Sequence, residues 1–161
     1  MNAEDILKYG HYTVLQTLEN LAEPDWNSGD VCGWWSTKDI MAHLASYEHL
    51  LIDIFNEILT GQQGATLMLM ASSGPEAFND VEVGKRQDMT VAEVLADYND
   101  AQAQTMNHIQ QIPVSQRRQA GLLAWYGSEY DLEDFLVYTY YGHKREHTAQ
   151  IAVFRDGLKS N

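Results

Sequence analysis

Four long segments of the sequence carry apolar side chains at the 3.6-residue spacing of an amphipathic helix. They run from about 2 to 21, 36 to 61, 90 to 112 and 131 to 156. Each segment has one apolar stripe to bury, and none alternates apolar and polar residues over the length of a strand. The pattern therefore predicts an all-α protein. Four helices with one stripe each bury those stripes most simply in a four-helix bundle.

Capping residues stand where two of these helices are expected to begin or end. Ser36 is a good N-cap with Asp39 three residues later, and Gly61 suits the residue that follows a helix. Thr90 and Glu93 have the spacing of a capping box. The predicted boundaries therefore rest on local hydrogen-bonding chemistry as well as on periodicity.

The connection over residues 61–89 is long for a link between neighbouring helices. A helix of about 25 residues is roughly 37 Å long, and a connection of this length can retrace it. We therefore predict an up-down-down-up bundle with one crossover between the second and third helices. A short helix over 66–72 is expected within the crossover, and residues 1–161 are expected to form a single domain.

The charge balance restricts the partners of this chain. It has 10 Lys and Arg residues against 23 Asp and Glu, a formal net charge of −13. Binding to nucleic acid or to an anionic membrane requires the opposite sign, so neither is expected. No apolar run reaches membrane-spanning length, and the N-terminus does not have the pattern of a signal peptide. A lone cysteine, Cys32, suits a reducing compartment. We expect a soluble cytoplasmic protein whose partner is a small molecule, a cation or another protein.

Three histidines lie on the predicted apolar stripes of the second and fourth helices. His143 and His147 are four residues apart, so on a helix their imidazoles share one face and can chelate a transition metal. His43 lies on the stripe of the second helix, at a matching height if that helix is antiparallel to the fourth. Buried imidazoles need polar partners, and one metal ion would serve all three. The pattern alone leaves a second interpretation open, in which they are hydrogen-bonded core residues.

Two other residues near this group are expected to have different roles. His11, on the stripe of the first helix, is expected to make core hydrogen bonds rather than support the metal ligands. Glu146 points about 100° away from its neighbour His147 around the helix, which favours a surface position.

Two stretches resemble signatures of the DinB/YfiT-like superfamily. Residues 35–44 (WSTKDIMAHL) contain a tryptophan, a polar cap and a histidine in that family's order, and residues 140–151 (YYGHKREHTAQI) contain its late H-x-x-x-H motif. The resemblance implies an up-down-down-up four-helix bundle, commonly dimeric, with a three-histidine metal site at one end of an open cavity. Carried over by position, the ligands are His43, His143 and His147. The implied cofactor is one divalent ion per chain, zinc or nickel.

The resemblance also implies a range of functions. Similar proteins include thiol S-transferases and mycothiol-dependent maleylpyruvate isomerases, together with many members without a demonstrated activity. Three protein ligands would leave a coordination position open, which is typical of catalytic sites. We therefore expect a homodimeric metal-dependent transferase or hydrolase acting on a small molecule. A low-molecular-weight thiol is the expected co-substrate, and a stress-related role is expected.

Two alternative functions follow from the same residues. One is a non-catalytic protein that binds a metal or a small ligand, and the other is a purely structural dimer whose inward histidines pair with buried polar groups. Three metal-binding histidines would exclude the structural dimer. They would not separate an enzyme from a binding protein, because the sequence identifies no catalytic residue or general base.

Overall fold

The computed structural model describes residues 2–158 of the chain, and this part is all-helical. No strand occurs within that range, where the only β-type pairing is an isolated bridge between Cys32 and Trp35. The helices are α1 (Ala3–Leu18), α2 (Thr37–Thr60), α3 (Ala65–Gly84), α4 (Val91–Gln111), α5 (Val114–Arg117), α6 (Leu132–Phe135) and α7 (Gly142–Leu158), with a 3-10 helix over Glu23–Asn27 and a π-helical segment over Leu136–Tyr141. The predicted all-α class is confirmed, whereas the up-down-down-up bundle stays a prediction.

The Cα positions group into two compact units. Within the described range, one contains residues 2–21 and 109–158, and the other contains residues 22–108. The single domain predicted for the whole chain stays a prediction. None of the helices in the described range combines the length and apolar character needed to cross a bilayer.

In the unit of residues 22–108, helix α2 has the ends that the sequence predicts. The Ser36 hydroxyl accepts a hydrogen bond from the Asp39 amide, and the Asp39 carboxylate accepts one from the Ser36 amide. Gly61 closes the helix in the left-handed conformation, with φ at 74°. A side chain is rarely tolerated at that angle, which explains the glycine.

The connection after α2 contains more helix than the sequence predicts. Instead of a short helix over 66–72, α3 runs from Ala65 to Gly84 with a break at Gly74, where φ is 77°. Pro75 has no amide hydrogen and disfavours helical geometry at the residue before it. Gly74 absorbs this constraint, and the helix resumes after the proline. Because of the Gly-Pro pair, the sequence pattern does not predict the second half of α3.

Helix α2 caps the start of α3. The Asp53 carboxylate accepts hydrogen bonds from the amides of Thr66 and Leu67, at 2.8 and 3.1 Å. A Cβ atom at Gly64 would lie 2.1 Å from this carboxylate. A side chain at position 64 would therefore displace this carboxylate from the two amides.

Buried charges link α2, α3 and α4. Arg86 donates to Glu82 at 2.9 Å and to Asp97 at 2.7 Å, and His49 pairs with the other oxygen of Asp97 at 2.7 Å. The hydrogen bond from His49 holds the pKa of Asp97 down at about 2, and Arg86 adds to the effect. Lys85 also pairs with Glu82. The sequence pattern does not predict this network, because it forms only when the segments that carry His49, Arg86 and Asp97 pack together.

In the other unit, α1 packs closely against α7. A Cβ atom at Gly10 would lie 3.3 Å from the Tyr141 ring and 3.4 Å from the Lys144 side chain. Lys144 is buried, and its aliphatic stem packs against α1. The sequence pattern does not predict a core residue at this position. Arg117, at the end of α5, donates hydrogen bonds to the Ile112 carbonyl and to the carboxylate of Glu4 in α1.

The predicted fourth helix is present with one irregularity. Asp131 and Asp134 form a capping box at its start, and the helical run continues without a gap to Leu158. Its middle, Leu136–Tyr141, is π-helical, a conformation that occurs mostly as a short insertion and often near functional sites. This segment ends immediately before the turn that carries His143.

Candidate metal centre

His143 and His147 point their imidazoles at one another on successive turns of α7. Their Nε2 atoms are 3.0 Å apart, and their ring centroids are 4.7 Å apart with an interplanar angle of 66°. His147 is only 7% exposed, and His143 is half-buried. The four-residue spacing thus brings two nitrogen donors to one point, as the sequence predicts.

Gln150 is a further polar residue of this group that the sequence analysis missed. Its Oε1 atom is 2.8 Å from Nδ1 of His147. The available signal was the spacing, since a residue three positions after an inward histidine lies on the same helix face. Hydrogen bonds of this kind are typical of metal-binding histidines, whose second nitrogen is usually held by a polar neighbour.

The surroundings of the pair favour neutral imidazoles. Burial lowers the pKa of His143 to about 3, and the charges of His147 and Lys144 lower it further. Burial also lowers the pKa of His147, although the hydrogen bond to Gln150 and the charge of Glu146 act in the opposite direction. Both rings are therefore neutral near pH 7, which is the form that binds metal ions.

His43 lies on α2 among aromatic side chains and is 2% exposed. Its ring centroid is 4.9 Å from that of Trp35 and 4.7 Å from that of Tyr47. Tyr47 in turn contacts Phe78 edge-on at 5.7 Å, and burial raises the pKa of the Tyr47 phenol. The ring of His43 is therefore held in an apolar, aromatic environment that keeps bulk water away.

The three predicted ligands lie close together. One ring nitrogen from each of His43, His143 and His147 lies within 4.8 Å of the other two. Three such donors can hold a single metal ion. The proximity that the sequence predicted is confirmed, whereas metal binding and the identity of the ion stay predictions.

The remaining residues considered from the sequence take ordinary positions. His11 is half-buried on α1, and Glu146 is exposed, as expected. Cys32 lies in the loop before α2 and is not a member of the histidine group. Glu48 of α2, which the sequence pattern does not single out, is a fully buried carboxylate that accepts a hydrogen bond from Thr105.

Comparisons with protein-family models, with curated proteins and with solved structures each gave no match. The resemblance to the DinB/YfiT-like superfamily therefore rests on residues 35–44 and 140–151 alone.

Proposed function

We propose that His43, His143 and His147 bind one divalent metal ion, and that the protein is a metal-dependent enzyme acting on a small molecule. The observation that carries the proposal is the pair of Nε2 atoms 3.0 Å apart on α7. The buried His43 supplies the third donor. Zinc and nickel are the proposed ions, because imidazole nitrogen suits both.

The geometry of the α7 pair is close to that of two ligands on one ion. Zinc–nitrogen bonds are about 2.0–2.1 Å long, which places two tetrahedral ligands about 3.3 Å apart. The Nε2 atoms of His143 and His147 are 3.0 Å apart. The separation of these two donor atoms is therefore within a few tenths of an ångström of that expected for two ligands of one zinc ion.

Three histidine ligands support a reactive site rather than a structural one. Structural zinc sites are usually closed by four protein ligands, whereas catalytic sites keep one position for water or substrate. A bound divalent ion lowers the pKa of water or a thiol at that position and thereby supplies a nucleophile near neutral pH. The neutral, largely buried imidazoles of His143 and His147 would hold the ion without adding negative charge.

A transferase that uses a low-molecular-weight thiol is the specific form of the proposal, and a hydrolase is the other. Membership of the DinB/YfiT-like superfamily, a homodimer, a cytoplasmic location and a stress-related role are proposed with it. They rest on the resemblance of residues 35–44 and 140–151.

Metal analysis of protein purified without a histidine tag tests the site. We expect about one ion per chain in the native protein, and loss of that ion in His43→Ala, His143→Ala and His147→Ala. His108→Ala is the matched control, because His108 lies on α4 and its ring pairs with the Gln104 carbonyl outside the group. Full occupancy in all three ligand variants would contradict the proposal.

A further inference from the structure

The contact between His147 and Gln150 determines where the imidazole carries its proton. Nδ1 of His147 lies 2.8 Å from the amide oxygen of Gln150. An amide oxygen has lone pairs and no hydrogen, so Nδ1 must be the donor. In a neutral imidazole the other nitrogen, Nε2, then carries a lone pair.

The contact between the two histidines then determines the proton position on His143. Their Nε2 atoms are 3.0 Å apart, within hydrogen-bonding distance. Since Nε2 of His147 carries the lone pair, Nε2 of His143 must donate. The two neutral rings are therefore different tautomers in the metal-free protein, with the proton on Nδ1 in His147 and on Nε2 in His143.

We infer that Gln150 is a positioning residue, which holds His147 in the one tautomer whose Nε2 can bind a metal ion. The inference rests on the proposed metal site, and it means that the two α7 histidines are not equally ready to bind an ion. His147 is ready to bind, whereas His143 must first release its Nε2 proton to solvent and take up one at Nδ1. The proton count of the pair does not change.

Substitution of Gln150 separates this role from simple packing. Gln150→Leu removes the acceptor, so His147 is no longer held in one tautomer, and metal affinity should fall by roughly 10- to 100-fold. Gln150→Glu keeps an acceptor opposite Nδ1 and should retain native affinity or exceed it. Ala149→Leu is the matched control, because it places leucine at the neighbouring exposed position and leaves Gln150 intact.

The experiment is nitrogen-15 NMR of the histidine rings at pH 7.5, with and without zinc, combined with zinc affinity from chelator competition. We expect the proton on Nδ1 of His147 in both states and a shift from Nε2 to Nδ1 in His143 when zinc binds. In Gln150→Leu, His147 should show both tautomers, whereas Ala149→Leu should behave as the native protein.

The outcomes distinguish this inference from the proposed function. A proton on Nε2 of His147 in the metal-free native protein overturns the inference. Native zinc affinity in Gln150→Leu also overturns it, and leaves the metal site intact. Failure of the native protein to take up either zinc or nickel overturns the proposed function, while the tautomers of the metal-free protein still report whether Gln150 orients the ring.

Discussion

His143 and His147 lie one helical turn apart on α7 with their Nε2 atoms 3.0 Å from each other. Two imidazolium ions would repel each other strongly at this distance, especially where burial removes water. The charge of His147 accordingly contributes to the low pKa of His143, after burial itself. The arrangement that brings two ligands to one point thus also makes the metal-free protein sensitive to acid.

The first prediction is that the metal-free protein loses stability as the pH falls below the pKa of a free histidine side chain. The pKa of His143 is lowered from about 6.5 to about 3 by folding. Between these values the unfolded chain binds a proton that the folded chain does not, so the free energy of unfolding falls as pH decreases. From pH 7.5 to 5.0 the contribution of His143 should be about 2 kcal/mol.

Urea unfolding of metal-free protein at the two pH values measures this effect. His143→Asn, which has no proton to take up, should lose correspondingly less stability over the same interval. Equal losses in the native protein and in the variant would show that His143 does not have a lowered pKa in the folded state.

The second prediction concerns the buried charge network. Arg86→Leu would leave Glu82 and Asp97 without their shared cation, and both carboxylates are largely buried. Breaking a buried pair from one side typically costs about 3–5 kcal/mol. We expect a loss of about 3 kcal/mol in thermal or urea unfolding at pH 7.

Arg118→Leu is the matched control for Arg86→Leu. Arg118 pairs with Glu133 at 3.4 Å, and its side chain is 58% exposed. Exposed pairs of this kind contribute less than about 1 kcal/mol. Similar losses in the two variants would argue against a stabilising role specific to Arg86.

The third prediction tests the close approach at the start of α3. In Gly64→Ala the new Cβ would meet the Asp53 carboxylate, which must then move away from the amides of Thr66 and Leu67. Loss of a helix N-terminal cap costs about 1–2 kcal/mol, and a drop of that size is expected in urea unfolding.

Gly84→Ala makes the same chemical change at a glycine whose Cβ would meet nothing within 4 Å. That substitution should leave stability unchanged or raise it by about 0.5 kcal/mol, because it restricts the unfolded chain. If both variants have native stability, the Asp53 cap does not stabilise the fold.

The sequence predicted those parts of the structure that depend on local chemistry. The helix ends at Ser36, Gly61 and Thr90 follow from hydrogen bonds or backbone angles within a few residues. The pairing of His143 with His147 follows from helix geometry alone. Such features can be predicted without knowing what the helix packs against.

The parts that the sequence did not predict depend on context. In the sequence, Gly74 and Pro75 have the composition of a loop, although α3 continues on both sides of them. The buried position of Lys144 arises from packing against Gly10 of α1, which is far away in the sequence. The π-helical segment before Gly142 has no signal in the apolar pattern. Periodicity does not contain that information.

The fourth prediction separates a reactive metal site from a saturated one. If His43, His143 and His147 are the only protein ligands, an added small ligand should reach the ion. In cobalt-substituted protein, imidazole, azide or a low-molecular-weight thiol should then change the visible absorption bands. Bands that none of these ligands changes would indicate a closed site and contradict the transferase proposal.

Turnover then separates an enzyme from a binding protein. A thiol bound to the ion is held as thiolate, the nucleophilic form, so the protein should accelerate its conjugation to a soft electrophile such as a chlorinated nitroaromatic. His147→Ala should abolish the acceleration by losing the ion, whereas His108→Ala, altered outside the histidine group, should retain it. If thiols change the cobalt spectrum and no conjugation follows, the open position serves binding alone, and the non-catalytic alternative is the correct one.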